Sequence, residues 1–356
     1  MATISLCMIV KNESTVLARC LDSIADLMEE IIIVDTGSTD NTKEIAAQYT
    51  SRIYDFKWTS DFSAARNFSF SKATMEYIYT ADADEILDDA NRERFLRLKG
   101  ALLPEIEIVQ MKYVTQGTFD TVLNAKKEYR PKLFRRLRTF TWIDPIHETV
   151  RLTPVTFDSD VEILHCPQSL HSKRDFSIFI KAFEHDGQFS PKIRTMYAKE
   201  LLKTGDKKDF TDAKPIFQLI FDNDPSDDAR KEAACVLARI YLMEDNKNEF
   251  FKLTIKDMLN TPCAEICYEL GTYFVGQRDY AEAVLWFYNA AYETESILDV
   301  HTSGDLPLLG LAECYEALLA AEEAKIPSDT ALTIQYEMML DKYREASRDW
   351  RMPEED

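Results

Sequence analysis

Three carboxylates fall within four residues at Asp82-Ala83-Asp84-Glu85, directly after the apolar run Tyr77–Thr80. Like charges repel, so a chain that gathers them at the end of a strand needs a compensating cation. Residues two apart in an extended segment project to the same side. Asp82 and Asp84 are therefore expected to aim at one point, with the small Ala83 between them taking little room. Hard carboxylate oxygens suit Mg2+ or Mn2+, and either ion would cancel the repulsion and bridge to a diphosphate. Alone, an Asp-x-Asp pair is more often a capped turn; the buried strand ahead of it gives it weight.

Other polar residues follow other apolar runs. Lys11, Asn12 and Glu13 come after Ile4–Val10; Asp35, Gly37 and Ser38 come after Glu30–Val34; Asp61, Arg66 and Asn67 precede or lie on a helical stretch. Asp35 reads either as a turn former or as an acceptor for the imide N–H of a uracil. Arg66 reads either as a surface cation or as a partner for phosphate oxygens. In Trp142–Glu148, His147 stands beside Asp144 and Glu148 and is a candidate third metal ligand or diphosphate contact. Arg130, Lys132, Arg135, Arg136 and Arg138 place five cations in nine residues against the prevailing charge.

The elements that must position these residues follow from hydrophobic patterning. Strands are expected at Ile4–Val10, Glu30–Asp35, Ser51–Phe56 and Tyr77–Thr80. Helices should follow the first three of them: one from about Thr15 capped by Ser14, one through Tyr49 capped by Thr39 or Asp40, and one over Phe62–Ala73. Glu30–Asp35 is apolar on both faces, as a buried parallel strand is. Repeated β-α units imply a parallel sheet with helices on both faces, and ligands bind such sheets beyond the carboxyl ends of the strands. After Pro104, the runs Ile106–Thr115, Lys132–Arg136 and Val161–His165 are strand-like, so the sheet should become mixed. From about Arg174 only helical periodicity remains. Ala264–Ala290 matches the spacing of a tetratricopeptide unit, with weaker copies at Met196–Phe221, Ala233–Tyr241 and Leu308–Tyr315. Leu201, Leu237, Leu270 and Leu311 bracket its period. We place the change of domain at 170/171, with an α/β unit before it and an all-α helical-repeat unit after it.

With 356 residues, two domains are the default expectation. The formal net charge of −20 argues against a nucleic-acid or anionic-membrane binder. No apolar run approaches the roughly 20 residues needed to span a bilayer. The amino-terminal run lacks a basic leader and a small-residue cleavage site, so it reads as a strand and not a signal peptide. Seven cysteines, an odd number among apolar neighbours, suit a reduced cytoplasmic protein, with Cys263 and Cys267 as packing residues.

Four stretches, Leu6–Glu13, Ile33–Thr42, Asp61–Asn67 and Asp82–Glu85, resemble family 2 glycosyltransferases with the GT-A fold, in the order and spacing of that family and over about residues 1–165. The helical half resembles a bacterial branch whose members glycosylate peptides, proteins or surface polysaccharides. The resemblance implies an inverting transfer from a nucleotide-diphosphate sugar, a UDP-sugar by the reading of Asp35, with Mn2+ or Mg2+ as cofactor. Val10, Asn12, Glu13 and Asp35, with Gly37 and Ser38, would cradle the nucleotide, and Arg66 would lie near the diphosphate. Asp82 and the adjoining Ala83 would contact the nucleoside, and Asp82 and Asp84 would ligate the metal. The base signatures of processive polysaccharide synthases are lacking, and Glu148, then Asp144, are the candidates for that role. The expected partners are the nucleotide sugar and a protein, peptide or glycan acceptor docked by the helical half, which could instead make a homodimer. Rival readings are a haloacid-dehalogenase-type phosphatase, disfavoured because Glu85-Ile86 follow the pair, and a non-catalytic nucleotide-sugar-binding adaptor.

Overall fold

The computed structural model describes residues 1–115, 127–138, 140–150, 154–166, 172–258 and 262–351. The chain divides into two compact units, Met1–Ala182 and Phe183–Asp356. The boundary expected at 170/171 lies outside the described residues.

The first unit is built on an eight-stranded mixed sheet. Strands β1 (Ile4–Val10), β2 (Glu30–Asp35), β3 (Ile53–Asp55) and β4 (Tyr77–Thr80) form its parallel half in the order β3-β2-β1-β4. β6 (Ile108–Thr115), β7 (Lys127–Arg135) and β10 (Thr156–His165) continue it as β7-β6-β10, with β7 antiparallel to both β4 and β6. The two-residue β5 (Glu85–Ile86) closes the edge by pairing antiparallel with β10, so that His165 faces Glu85. β8 (Trp142–Ile143) and β9 (Thr149–Val150) form a separate small ribbon. Ile4, Leu6, Met8, Ile32, Ile33 and Val34 are fully buried, as continuous β-branched and aliphatic runs covered on both faces should be.

Three of the early helices depart from expectation in their ends. α1 (Leu17–Ile24) starts later than Thr15, and Ser14 does not cap it: the Ser14 amide donates to Asp40 instead, at 3.2 Å. α2 (Thr42–Ala46) is a single turn and more, not a helix to Tyr49. α3 (Phe62–Phe70) stops three residues short of Ala73 and is capped by Asp61, whose Oδ1 accepts from the Ala64 amide at 3.1 Å. The sequence reading also passed over α4 (Asp89–Ala101), whose cap Asp88 accepts from the Asn91 amide at 2.9 Å. Its apolar stripe is thin: Phe95 is buried in the core while Leu96 is largely exposed.

The helix α5 (Ser172–Asp186) runs across the division, and eight more follow in the second unit, two by two in chain order. These are α6 (Pro191–Thr204) and α7 (Lys207–Asn223), α8 (Asp227–Met243) and α9 (Lys247–Met258), α10 (Ala264–Gly276) and α11 (Tyr280–Tyr288), and α12 (Asp305–Glu323) and α13 (Thr330–Asp349). First helices of successive pairs touch: α6 meets α8, α8 meets α10, and α10 meets α12. Leu201, Leu237, Leu270 and Leu311 are all buried on those first helices. The small residues have a steric cause. A Cβ on Gly271 would lie 2.6 Å from the Phe287 ring, and one on Gly310 would lie 2.7 Å from the same ring. One aromatic wedge therefore fills the space between two glycines on neighbouring helices. No helix among the described residues is long and apolar enough to cross a membrane.

Candidate active site

The carboxyl ends of β1, β2 and β4 bring the polar motifs to one edge of the parallel half-sheet, where the two ends β1 and β2 are tied directly. Asn12, in the left-handed region at φ 57°, accepts from the Thr39 amide at 2.8 Å, and its own amide donates to Ser38 Oγ at 2.9 Å. The Glu13 amide donates to Thr42 Oγ1 at 2.8 Å. Asp40 receives the amides of Ser14 and Thr42. Partial burial would push its carboxyl up, but the hydroxyl and amide donors of Thr42 and Ser14 prevail and hold it at about 2.

Asp35 is buried at the end of β2. Its Oδ1 accepts from the amides of Gly37 and Ser38, each at 2.9 Å. Gly37 has φ 107°, which an L side chain rarely adopts, and this turn lets two successive amides reach one oxygen. The other oxygen, Oδ2, is buried with no hydrogen-bond partner among the described residues. A buried carboxylate oxygen left over in this way is an acceptor waiting for a donor.

After β4, burial alternates: Ala81, Ala83 and Glu85 are buried, while Asp82 is exposed and Asp84 half-buried. Asp82 and Asp84 thus lie on one side of the segment and Glu85 on the other. Asp84 Oδ2 lies 3.1 Å from His165 Nε2, and the Cys166 amide donates to the Asp84 carbonyl at 3.0 Å. The pairing of β5 with β10 brings the two segments together. His147 has a left-handed backbone at φ 49°, and its ring lies 5.9 Å from that of Phe179. The histidine that the fold delivers to the acidic pair is therefore His165, which the sequence reading missed although it had marked the end of its strand. The missing signal was the pairing partner, which lies 81 residues away.

Cations surround the pair. Lys132 Nζ donates to Glu85 Oε1 at 2.5 Å, and both side chains are buried. Burial raises Glu85 to about 6; Lys132 pulls it down, while Asp82 and Asp84 push it further up. Asp82 feels desolvation upward too, but Lys132, Arg66, Arg130 and His165 together leave it below the ordinary carboxylate range. Arg130 stacks 3.7 Å over the Tyr113 ring and pairs with Glu128. The five-cation run is thus divided where β7 ends and the turn Arg136–Arg138 begins. Arg130 and Lys132 act on the acidic cluster, whereas Arg136 donates to the Met75 carbonyl and Arg138 pairs with Glu107.

The segment 142–148 is clamped onto α3. Asn67 bonds the Trp142 backbone twice, donating to its carbonyl at 3.0 Å and accepting from its amide at 2.8 Å. Ser63 Oγ donates to the Asp144 carbonyl, and the Phe62 amide to that of Pro145 at 2.9 Å. Arg66 reaches Glu148 Oε1 with Nε at 2.7 Å and with a terminal nitrogen at 2.5 Å, and its guanidinium lies 4.9 Å over Trp142. The motif Asp61–Asn67 therefore has a second task the sequence did not disclose, fixing the strip that carries Asp144 and Glu148. Asp144 has φ 73°, and its Oδ2 accepts from Thr149 Oγ1 at 3.3 Å.

Residues 5–152 match the family described as Glycosyl transferase family 2. They are a glycosyltransferase family 2 domain. The α/β sheet of the first unit, followed by helices alone, accords with the GT-A expectation. Over 132 residues the chain is 33% identical to the SPbeta prophage-derived glycosyltransferase SunS of Bacillus subtilis, covering 36% of this chain and 31% of that protein. Over 87 residues it is 47% identical to a TPR repeat-containing protein of Synechococcus elongatus, 24% of this chain and 22% of that one. Over 99 residues it is 30% identical to the lipopolysaccharide core biosynthesis glycosyltransferase LpsC of Rhizobium meliloti, 27% and 33% of the two chains. The chain thus spans about a third or less of these relatives. Among solved structures, glucosyl-3-phosphoglycerate synthase from Mycobacterium tuberculosis, in complex with Mn2+, UDP-glucose and phosphoglyceric acid, aligns with TM-score 0.40 and 16% identity, covering 53% of this chain and 82% of that one.

Proposed function

We propose that the protein is a metal-dependent, inverting glycosyltransferase that moves a sugar from a UDP-sugar to a protein, peptide or surface-glycan acceptor. The observation that carries this reading is the family 2 domain with Asp84 joined to His165 two residues from Asp82, whose carboxyl Lys132, Arg66 and Arg130 hold below the ordinary range. The spare Oδ2 of Asp35 supports a uracil, whose imide N–H would supply the donor that oxygen lacks. Val10, Asn12, Glu13, Gly37 and Ser38 would complete the nucleotide end. Asp82, Asp84 and His165 would hold Mn2+ or Mg2+, since carboxylates and an imidazole are ligands such ions accept. When bound, the ion offsets negative charge on the departing diphosphate.

The remaining work falls to the chain's own side chains. Arg66 touches Glu148 and also acts on Asp82, so it stands between the diphosphate end and the candidate base. Both of its contacts fall on Oε1, which leaves Glu148 Oε2 to take a proton from the acceptor. The acceptor's oxygen or sulfur forms its bond to the anomeric carbon on the face opposite the diphosphate, whose bond to that carbon breaks as UDP departs. Asp144 is the second candidate for the base. The test is release of UDP from a panel of UDP-sugars with and without Mn2+, alongside mass spectrometry of acceptors in a lysate. Metal-dependent UDP release with a hexose-sized mass gain supports transfer. Nucleotide binding with no turnover on any acceptor would point to a binding module, and a Glu148→Gln protein with undiminished turnover would remove that residue as base.

A further inference from the structure

Among the described residues, one group of metal-compatible side chains converges tightly, and it belongs to the helical unit: Cys235 on α8, Cys263 immediately before α10, and Glu265 in its first turn. One ligand atom from each lies within 4.8 Å of the others. All three are buried, the cysteines fully and Glu265 to 2% exposure. The two sulfurs are 3.5 Å apart and not bonded. In a tetrahedral zinc site, Zn–S bonds of about 2.3 Å hold two sulfurs roughly 3.8 Å apart, so the ion would enter with little movement of either helix.

Glu265 gives the independent sign. Its Oε1 is fully occupied, accepting from the amides of Ile297 at 2.9 Å, Leu298 at 2.7 Å and Asp299 at 3.1 Å. Its Oε2 is buried and has no partner among the described residues. A carboxylate oxygen sealed away from water without a donor is destabilising, and a cation placed against it removes that cost. Packing alone explains two small thiols between helices; it does not explain an anion beside them with one oxygen idle.

We infer that Cys235, Cys263 and Glu265 bind a zinc ion that pins α8 to α10. Thiolates favour zinc over Mg2+ or Mn2+, which take oxygen ligands, so the two units would sort different metals. Both thiols release their protons to solvent as the two Zn–S bonds form, and no electron changes hands. A water fills the fourth position. This revises the sequence reading of Cys263 as a packing residue, and it is independent of the catalytic proposal.

The experiment uses the full chain carrying Asp84→Asn and His165→Ala, so that the acidic pair does not compete. The protein is stripped with a chelator and titrated with CoCl2 and, separately, ZnCl2. The expected result is one cobalt per chain with a thiolate-to-cobalt charge-transfer band, and a rise of several degrees in the melting midpoint with zinc. Cys235→Ser and Cys263→Ser should each abolish the band. Glu265→Gln keeps an oxygen for the three amides but loses the anion; it should fold normally and bind zinc at least about 10-fold more weakly. A charge-transfer band absent from the parent protein overturns the inference. So does a band that survives both cysteine substitutions, or an intact mass short of two hydrogens, which would mean a Cys235–Cys263 disulfide.

Discussion

Asp84 Oδ2 meets His165 Nε2 at 3.1 Å. If they are ligands, Asp84→Asn and His165→Ala should each lower metal-dependent UDP release by about 100-fold or more, above the 10–100-fold typical of residues one shell further out. The metal titration of each variant measures it. Arg66 and Glu148 form a pair with side chains only 14% and 12% exposed. Arg66→Met should cost about 3 kcal/mol in a urea melt, because it strands a largely buried carboxylate. Adding Glu148→Gln should recover most of that loss, since neither charge is then left alone. At this scale, Asp82, Asp84 and Asp35 were legible because each follows an apolar strand, and Arg66 because it lies on the helix capped by Asp61. The meetings of Asp84 with His165 and of Asn67 with Trp142 were not, because they span 81 and 75 residues and no local spacing encodes them.

Elements are held by caps and by steric fit, and both can be probed. The Asp40 carboxyl sits at about 2, below its usual 3.8. A depressed carboxylate contributes stability above its unfolded pKa and loses it as pH falls through the folded one. The difference in urea midpoint between the parent and Asp40→Asn should therefore be constant above about pH 5 and shrink between pH 3.8 and 2. Gly271→Ala places a methyl against Phe287, and overpacking of this kind should cost about 1–3 kcal/mol. A thermal melt of the full chain reads it, and Phe287→Leu added to the same protein should restore part of the loss. β1, β2 and β4 were readable to the residue because a doubly covered strand is apolar throughout. α4 escaped because few of its residues are buried, and α1 and α2 were misjudged at their starts because Ser14, Thr39 and Asp40 serve the loop between β1 and β2 instead of a helix end.

For the whole chain, charge is unevenly shared. Residues 183–356 hold 35 acidic against 19 basic side chains, so −16 of the net −20 belongs to the helical unit. If that unit docks the acceptor, the acceptor's docking segment should be basic, and transfer should weaken as salt screens the attraction over about 10 Å at 0.1 M. Removing residues 183–356 should spare UDP-sugar hydrolysis and abolish both acceptor selectivity and the salt effect; steady-state assays at two ionic strengths check it. The division into an α/β and a helical half was visible in the change of period. The repeat was plain only where glycine and aromatic spacing is tight, as at Gly271 and Phe287. The long reach between Asp84 and His165 carries one more consequence, for biosynthesis. At roughly 5–20 residues per second, a ribosome needs about 4–16 s to make the intervening chain. During that interval the growing polypeptide already displays its acidic pair but lacks the imidazole. If His165 is a metal ligand, the nascent chain gains its full grip on an ion only when the late strand zips into place beside β6 and the sheet is whole.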